Sequence, residues 1–150
     1  MADSKVQGKV EAWIVRNVLP AIYGQPFRKA TMRLTWGGTF EFDAVSADGK
    51  IVGCVSTACC LTAGGRQAIG KYHKIRADVL FLLNAEAAER RILIFTDKQM
   101  EAHFERERTR GRFPPPSVIE MRTVEIPDEL AAELRKAAAI ASIEVSPRPL

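Results

Sequence analysis

The sequence predicts an α/β fold in which a mixed β-sheet is flanked by helices on both faces. Apolar residues recur at helical spacing at both ends of the chain, and an Asp-Gly turn joins two β-rich runs. Short continuous apolar runs, typical of strands covered on both faces, alternate with further helical patterns. This alternation indicates a sheet layered with helices, and the length suits a single domain over residues 1–150.

The first part of the chain is predicted to contain one helix and three strands. Helical spacing of apolar residues predicts an amphipathic helix over residues 5–23. β-Rich runs predict strands over residues 31–36, 39–45 and 51–57. The Asp-Gly dipeptide between the last two strands is the turn signal of a β-hairpin, so we expect these strands to pair antiparallel.

The middle of the chain is predicted to alternate between helix and strand. Residues 63–77 place apolar side chains on one helical face and are predicted to form a helix. The apolar runs at residues 78–83 and 91–96 are predicted strands, because short continuous runs fit strands buried on both faces. A capping-box pattern that begins at Thr96 predicts a further helix over residues 97–110.

The last part of the chain is predicted to add a strand, a helix and an edge strand. The strand covers residues 118–126, the helix opens at Pro127, and the edge strand covers residues 142–146. The acidic residues Asp128 and Glu129 suit a helix N-terminus, where the helix dipole favours negative charge. The core elements therefore follow the order helix, three strands, helix, two strands, helix, strand, helix.

Composition and charge limit the classes of function. A net charge of +4 and a pI of about 9.1 permit binding to a polyanion such as nucleic acid. Apolar runs fall short of the roughly 18 residues of a membrane helix, so we expect no membrane partner. The first residues lack a secretory pattern, and three clustered cysteines do not form a disulfide framework. Both observations indicate the cytoplasm.

The segment EFDAVSADGKIVGCVST carries a resemblance to a known family. Together with the order helix, hairpin, helix, strand, it resembles the PD-(D/E)XK, or restriction-endonuclease-like, superfamily over residues 5–96. The resemblance implies an aspartate near the end of one strand and an acid-x-lysine motif on the return strand of the hairpin. It also implies a helix packed behind that hairpin.

Only part of the family's catalytic motif is present. Asp43 matches the metal-binding aspartate, and Glu11 on the first helix matches an acid that some branches add. Cys54 stands where the second acid belongs, and Ser56 stands where the lysine belongs. Because cysteine is a soft ligand and serine carries no charge, two of the three central groups of a magnesium-dependent nuclease are missing.

The resemblance implies one way in which the site could be rebuilt. Gln67, Lys71 and Lys74 share one face of the predicted second helix, and in the family a lysine on this helix can replace the lost strand lysine. A rebuilt site would use Asp43, Gln67 and Lys71 in catalysis, with Asp43 and Glu11 holding Mg²⁺. We expect weak Mg²⁺ binding, because one certain carboxylate leaves the ion held mostly by water.

Three functional hypotheses follow, and they differ in class. The first is a non-catalytic nuclease fold that binds DNA, RNA or a protein partner, either alone or as a homodimer. Its predicted binding residues are the cations of the second helix: Arg66, Lys71, Lys74 and Arg76. The second is a metal-dependent endonuclease or exonuclease with the rebuilt site, in which Glu41 is an alternative to Glu11. The third is a thiol site at Cys54 or the Cys59–Cys60 pair, which lacks an obvious base.

Strand alternation predicts where the side chains of the hairpin point. Asp43 is predicted to share a face with Val45, while Phe42 and Ala44 share the other face. We therefore expect Asp43 and Cys54 to line one pocket, with the second helix at its wall. The structural alternatives are that Asp43 only caps the hairpin or pairs with a lysine, and that Glu11 is a solvated charge.

Overall fold

A computed structural model of the chain describes residues 4–59 and 68–145. The helices in these residues are α1 (Ser4–Asn17), α2 (Leu19–Tyr23), α3 (Ile69–Leu83), α4 (Lys98–Thr109) and α5 (Asp128–Val145). The strands are β1 (Phe27–Arg33), β2 (Thr39–Ser46), β3 (Ile51–Ser56), β4 (Arg90–Phe95) and β5 (Glu120–Thr123).

The strands form one mixed sheet in the order β1-β2-β3-β4-β5. β1, β2 and β3 pair antiparallel, whereas β3, β4 and β5 pair parallel. Tyr72 of α3 and Phe104 of α4 belong to the core on one face of the sheet, which we call the α3-side core. Ile14 of α1, Leu19 of α2 and Leu130 of α5 belong to the core on the other face, the α1-side core. The predicted α/β class is confirmed.

The N-terminal helix is divided, which corrects the prediction of one helix over residues 5–23. α1 ends at Asn17 and α2 begins at Leu19. Pro20 lies in the first turn of α2, where the missing amide of proline is tolerated. In an uninterrupted helix that amide would donate to the carbonyl of Arg16, so proline divides the helix here.

The predicted strand at residues 78–83 is wrong, because this run is the second half of α3. Ile75, Val79 and Leu82 form a buried stripe at helical spacing, whereas Leu80 is 52% exposed. The run is therefore covered on one side only. A continuous apolar run does not by itself distinguish a buried strand from a helix, and residues 78–83 continue the helical period that precedes them.

Three smaller differences concern element ends. β1 begins at Phe27, earlier than the predicted start at residue 31. The N-cap of α4 is Asp97, whose carboxylate accepts a hydrogen bond from the Gln99 amide at 3.1 Å, rather than Thr96. α5 continues to Val145, so the predicted edge strand over residues 142–146 is wrong for its described part. Acids at the start of α5 favour helix, as predicted, and the helix includes Ile143 and Val145, the apolar residues that suggested a strand.

The central hairpin is confirmed, although its two strands pair over a shorter stretch than predicted. β2 and β3 are antiparallel and joined by a turn in which Gly49 has a φ of 73°, a left-handed conformation that favours glycine. The Asp48 carboxylate accepts the Lys50 amide at 3.0 Å and closes the turn. Beyond the turn the two strands pair at Ala44–Gly53 and Val45–Val52. The ladder then stops, although both strands continue.

Candidate functional site

A β-bulge lies where β2 leaves β3. On β1, Lys29 alone separates the paired residues Arg28 and Ala30, whereas the corresponding segment of β2 contains Asp43 and Ala44. An extra residue in one strand shifts the alternation of its side chains. The predicted sharing of a face by Phe42 and Ala44 is therefore wrong, because these two side chains belong to opposite cores.

Asp43 occupies this bulge and ends the ladder between β2 and β3. Its Oδ2 accepts a hydrogen bond from the Val55 amide at 2.8 Å. Val55 lies two residues beyond Gly53, where the antiparallel ladder is no longer formed. A buried amide without a partner costs free energy, so the half-buried carboxylate supplies the acceptor that the ladder does not.

Charged side chains from three other elements surround Asp43. They come from α1, β1 and α3, and with Asp43 they form a group that we call the Asp43 cluster: Glu11, Lys29, Asp43, Lys74 and Asp78. The Lys74 Nζ lies 3.6 Å from Asp78 Oδ2. The cluster thus joins the hairpin to helices on both faces of the sheet.

Burial raises the pKa of all three carboxyl groups in the cluster. Desolvation, followed by repulsion from Asp43, raises the pKa of Glu11 from 4.5 to about 7. Desolvation also raises the pKa of Asp43, although its hydrogen bond from Val55 opposes this. The pKa of Asp78 is raised by desolvation as well, and Lys74 opposes it. Near neutral pH, Glu11 is therefore divided between its charged and neutral forms.

The return strand supplies no charge to this cluster. Cys54 is 2% exposed within the α3-side core, and burial raises the pKa of its thiol well above the usual range. Such a thiol stays protonated near neutral pH, which opposes the hypothesis of a thiol site at Cys54. Ser56 is buried, and its hydroxyl accepts the Ala58 amide at 3.4 Å.

The predicted cations of the second helix occupy different surroundings. Lys71 is exposed on α3, one turn before Lys74 of the Asp43 cluster. Arg76 instead lies 3.5 Å from the Glu107 carboxylate of α4, with its guanidinium over the Phe104 ring. Two further predicted residues, Arg66 and Gln67, lie outside the described residues, as does Cys60.

A cavity of about 470 Å³ lies between α1 and β1, and we call it the α1–β1 cavity. Two acids of the Asp43 cluster, Glu11 and Asp43, are in its wall together with the cations Arg16, Arg28 and Lys29. Cys54 is not among the lining residues of this cavity, although Asp78, Asp43 and Lys74 all act electrostatically on its thiol. Glu41 lies just outside, with its carboxylate 4.0 Å from Lys29 Nζ.

The donor set does not fit the magnesium ion that the family resemblance implies. Among the described residues, no group of three or more His, Cys, Asp or Glu side chains is arranged to hold a metal ion. Asp43 already uses one carboxylate oxygen to accept the Val55 amide. The predicted pair of Asp43 and Glu11 therefore lacks a third protein ligand in the part of the chain that the structure describes.

Sequence reasoning identified Glu11, Asp43 and Lys74 but missed Lys29 and Asp78. Lys29 lies before the start of the strand that was predicted there. Asp78 is four residues after Lys74 and therefore on the same helical face, a signal that the strand prediction for residues 78–83 concealed.

Comparison with protein-family models, curated proteins and solved structures finds no match to this chain. In the residues that the structure describes, no helix combines the length and apolar character needed to cross a membrane.

Proposed function

We propose that this chain is a non-catalytic protein with a restriction-endonuclease-like fold that binds nucleic acid at the Asp43 cluster. The order of helix, three antiparallel strands, helix and strand supports the fold assignment. So does the position of Asp43 on β2 beside the return strand β3.

The observation that carries the proposal is the convergence of cations from three elements near one carboxylate. Arg16 of α1 and Lys29 of β1 line the same cavity as Asp43, and the exposed Lys74 of α3 also acts on Asp43. Lys74 has an exposed side chain, and Lys71 one turn away is exposed too. Phosphate groups are attracted to such a surface, and each neutralised phosphate releases counterions.

In the residues that the structure describes, this region does not present a complete set of groups for cutting a phosphodiester. Cys54 and Ser56 replace the acid and the lysine of the family motif, and both are buried without charge. The metal donors found among the described residues are too few to position and activate a water molecule. Attraction of phosphates needs a local excess of cations, and Arg16, Arg28, Lys29, Lys71 and Lys74 outnumber the three acids of the Asp43 cluster.

The test is a titration of DNA and RNA with the purified chain at several salt concentrations. We expect weak, sequence-tolerant binding, and Lys71→Ala with Lys74→Ala should lower the affinity and reduce the salt slope by about 2. The matched control is Lys50→Ala with Lys98→Ala, which removes two exposed lysines that lie outside the Asp43 cluster. The control should change affinity and slope much less.

The alternative function is a Mg²⁺-dependent nuclease with a rebuilt site. One observation favours it: Glu11, Asp43 and Asp78 are partly desolvated near one another, and a bound cation would relieve their repulsion. DNA cleavage that requires Mg²⁺ and disappears in Asp43→Ala would establish this enzyme. Absence of binding to DNA and RNA at low salt would contradict both functions and leave a protein-interaction module.

A further inference from the structure

The α1–β1 cavity combines an apolar floor with an open rim. Val15 and Phe27 are buried in its lining, whereas Ala12 and Pro26 at its edge are exposed. Its volume of about 470 Å³ lies within the roughly 300–1,000 Å³ of cavities that bind small organic ligands. Apolar walls of this kind suit a flat ring better than a phosphate.

Three cations of the described residues lie in the wall of the same cavity, and only Lys29 among them has acidic neighbours that act on it. Neither Arg16 nor Arg28 forms an ion pair with any described residue, and both are exposed. The Lys29 Nζ is at the 4.0 Å limit from the Glu41 carboxylate, and both side chains are largely exposed. Exposed pairs of this kind contribute little free energy. Lys29 also faces Glu11 and Asp43 across the cavity wall, but it forms no ion pair of 4.0 Å or less with either of them, so it can still contact a further anion.

The acids on the cavity wall add a third kind of contact. Glu11 is divided between charged and neutral forms near neutral pH, so its carboxyl group can accept or donate a hydrogen bond. Asp43 contributes one carboxylate oxygen that the Val55 amide does not use. Ring nitrogens and exocyclic groups of a nucleobase offer matching donors and acceptors.

Resting on the proposed function, we infer that the α1–β1 cavity holds one unpaired nucleotide of the bound strand. The base lies against the apolar floor near Val15, and the phosphate lies among Arg16, Arg28 and Lys29. A duplex is too wide to enter this space, so a base reaches it only from a single strand or after leaving the stack. The chain should therefore prefer single-stranded to double-stranded DNA.

The test compares one oligonucleotide, single-stranded and as a duplex, on the wild type and two variants. Ala12→Trp fills the cavity from an exposed helical position without changing charge, and Ala102→Trp makes the same change on an exposed part of α4. We expect Ala12→Trp to weaken single-strand binding about tenfold, a typical effect of losing one base contact. Duplex binding should be unchanged, and Ala102→Trp should change neither.

A second variant keeps the inference testable should Ala12→Trp disturb folding. Arg16→Ala with Arg28→Ala alters exposed side chains only, and it should weaken binding of a deoxynucleoside monophosphate measured by ligand-observed NMR. If nucleic acid binds but both cavity variants leave single-strand binding and mononucleotide binding unchanged, the cavity assignment is overturned while the proposed function stands. If neither DNA nor RNA binds, the proposed function fails. In that case, mononucleotide binding that is lost in Ala12→Trp would still support the cavity assignment. Absence of mononucleotide binding to the wild type would overturn the cavity assignment.

Discussion

The two halves of the sheet differ in how their strands are held. In the parallel half, formed by β3, β4 and β5, β3 pairs with β4 from Ile51–Arg90 to Ser56–Phe95 without interruption. The other half consists of β1 and β2, and we call it the hairpin half because these two strands pair antiparallel. Its ladder to β3, between β2 and β3, stops after two residue pairs. A carboxylate, Asp43, then takes the place of a strand carbonyl.

The interiors of the two halves differ as well. All residues of β3 are buried, and four consecutive residues of β4 are fully buried. The hairpin half instead places Asp43 and Lys29 beside acids and lysines from both faces. The parallel half thus provides stability through apolar burial. The hairpin half instead contains partly desolvated charges, whose desolvation lowers the free energy of unfolding. Such costly groups are typical of functional sites.

The largest expected effect is a loss of stability when a side chain is added inside the parallel half. A Cβ added at Gly53 would lie 2.4 Å from Ile92 Cγ1 and 3.0 Å from the Ile92 carbonyl oxygen. Ile92 is fully buried and has little room to move. We expect Gly53→Ala to lower the free energy of unfolding by about 2–3 kcal/mol, measured by urea denaturation.

Gly70→Ala is the matched control for this change. Gly70 lies in α3 with no atom within 4 Å of an added Cβ. Because Gly70 is in the first turn rather than the middle of the helix, alanine should stabilise this position by at most about 0.5 kcal/mol. Equal urea midpoints for Gly53→Ala and the wild type would contradict the tight packing of β3 on β4.

A smaller effect is expected where Asp43 ends the ladder. Asp43→Asn retains a side-chain oxygen that can accept the Val55 amide, whereas Asp43→Ala leaves that amide unpaired. We expect the alanine variant to be less stable than the asparagine variant by about 1–2 kcal/mol. Equal stability of the two variants in denaturant would show that the carboxylate does not support the divergence of β2 from β3.

The smallest effect concerns the pH dependence that Glu11 imposes. Its pKa is about 7 in the fold against 4.5 for the ordinary group, so the folded state binds more protons between these values. Stability is therefore lost as pH rises through this window, and the loss is complete above the folded pKa. Glu11→Gln should remove that loss.

The measurement for Glu11 is a pair of denaturation curves at two pH values. Relative to the wild type, Glu11→Gln should gain about 1 kcal/mol between about pH 4 and about pH 8, after allowance for solvent screening. Glu133→Gln is a control, because Glu133 is an exposed partner of Lys9 away from the Asp43 cluster. A Glu11 variant with the same pH profile as the wild type would mean that this carboxyl group is fully hydrated.

Local signals made much of the fold predictable. The Asp-Gly turn predicted the hairpin. The continuous apolar run of β4 predicted a strand buried on both faces, and its side chains do enter both cores. The bulge at Asp43 could not be predicted, since it depends on the register of β2 against β1, which the alternation of side chains along β2 does not encode. The full length of α3 was not predicted, because residues 79–83 are apolar both on the buried face of the helix and on its exposed face. The run therefore shows no helical alternation of apolar and polar residues.

Part of the site could be predicted, namely the residues that belong to a motif recognisable in the sequence. Asp43 and Glu11 were identified from the family resemblance, and Lys74 from helical spacing. Lys29 and Asp78 acquire their roles only from the tertiary structure, which brings β1 and α3 to the same carboxylate. The α1–β1 cavity likewise depends on the packing of two elements and has no local signal.

The most direct test of the account is an amide chemical-shift map of the isotopically labelled chain during titration with single-stranded DNA. We expect the largest changes in the hairpin half and its neighbours, at Glu11, Lys29, Asp43 and Lys74. The buried core of β4 and the exposed Arg122 of β5 should change little. Shifts confined to β5 and α5, or no shifts at low salt, would contradict the claim that the charged, divergent half of the sheet is where this protein binds nucleic acid.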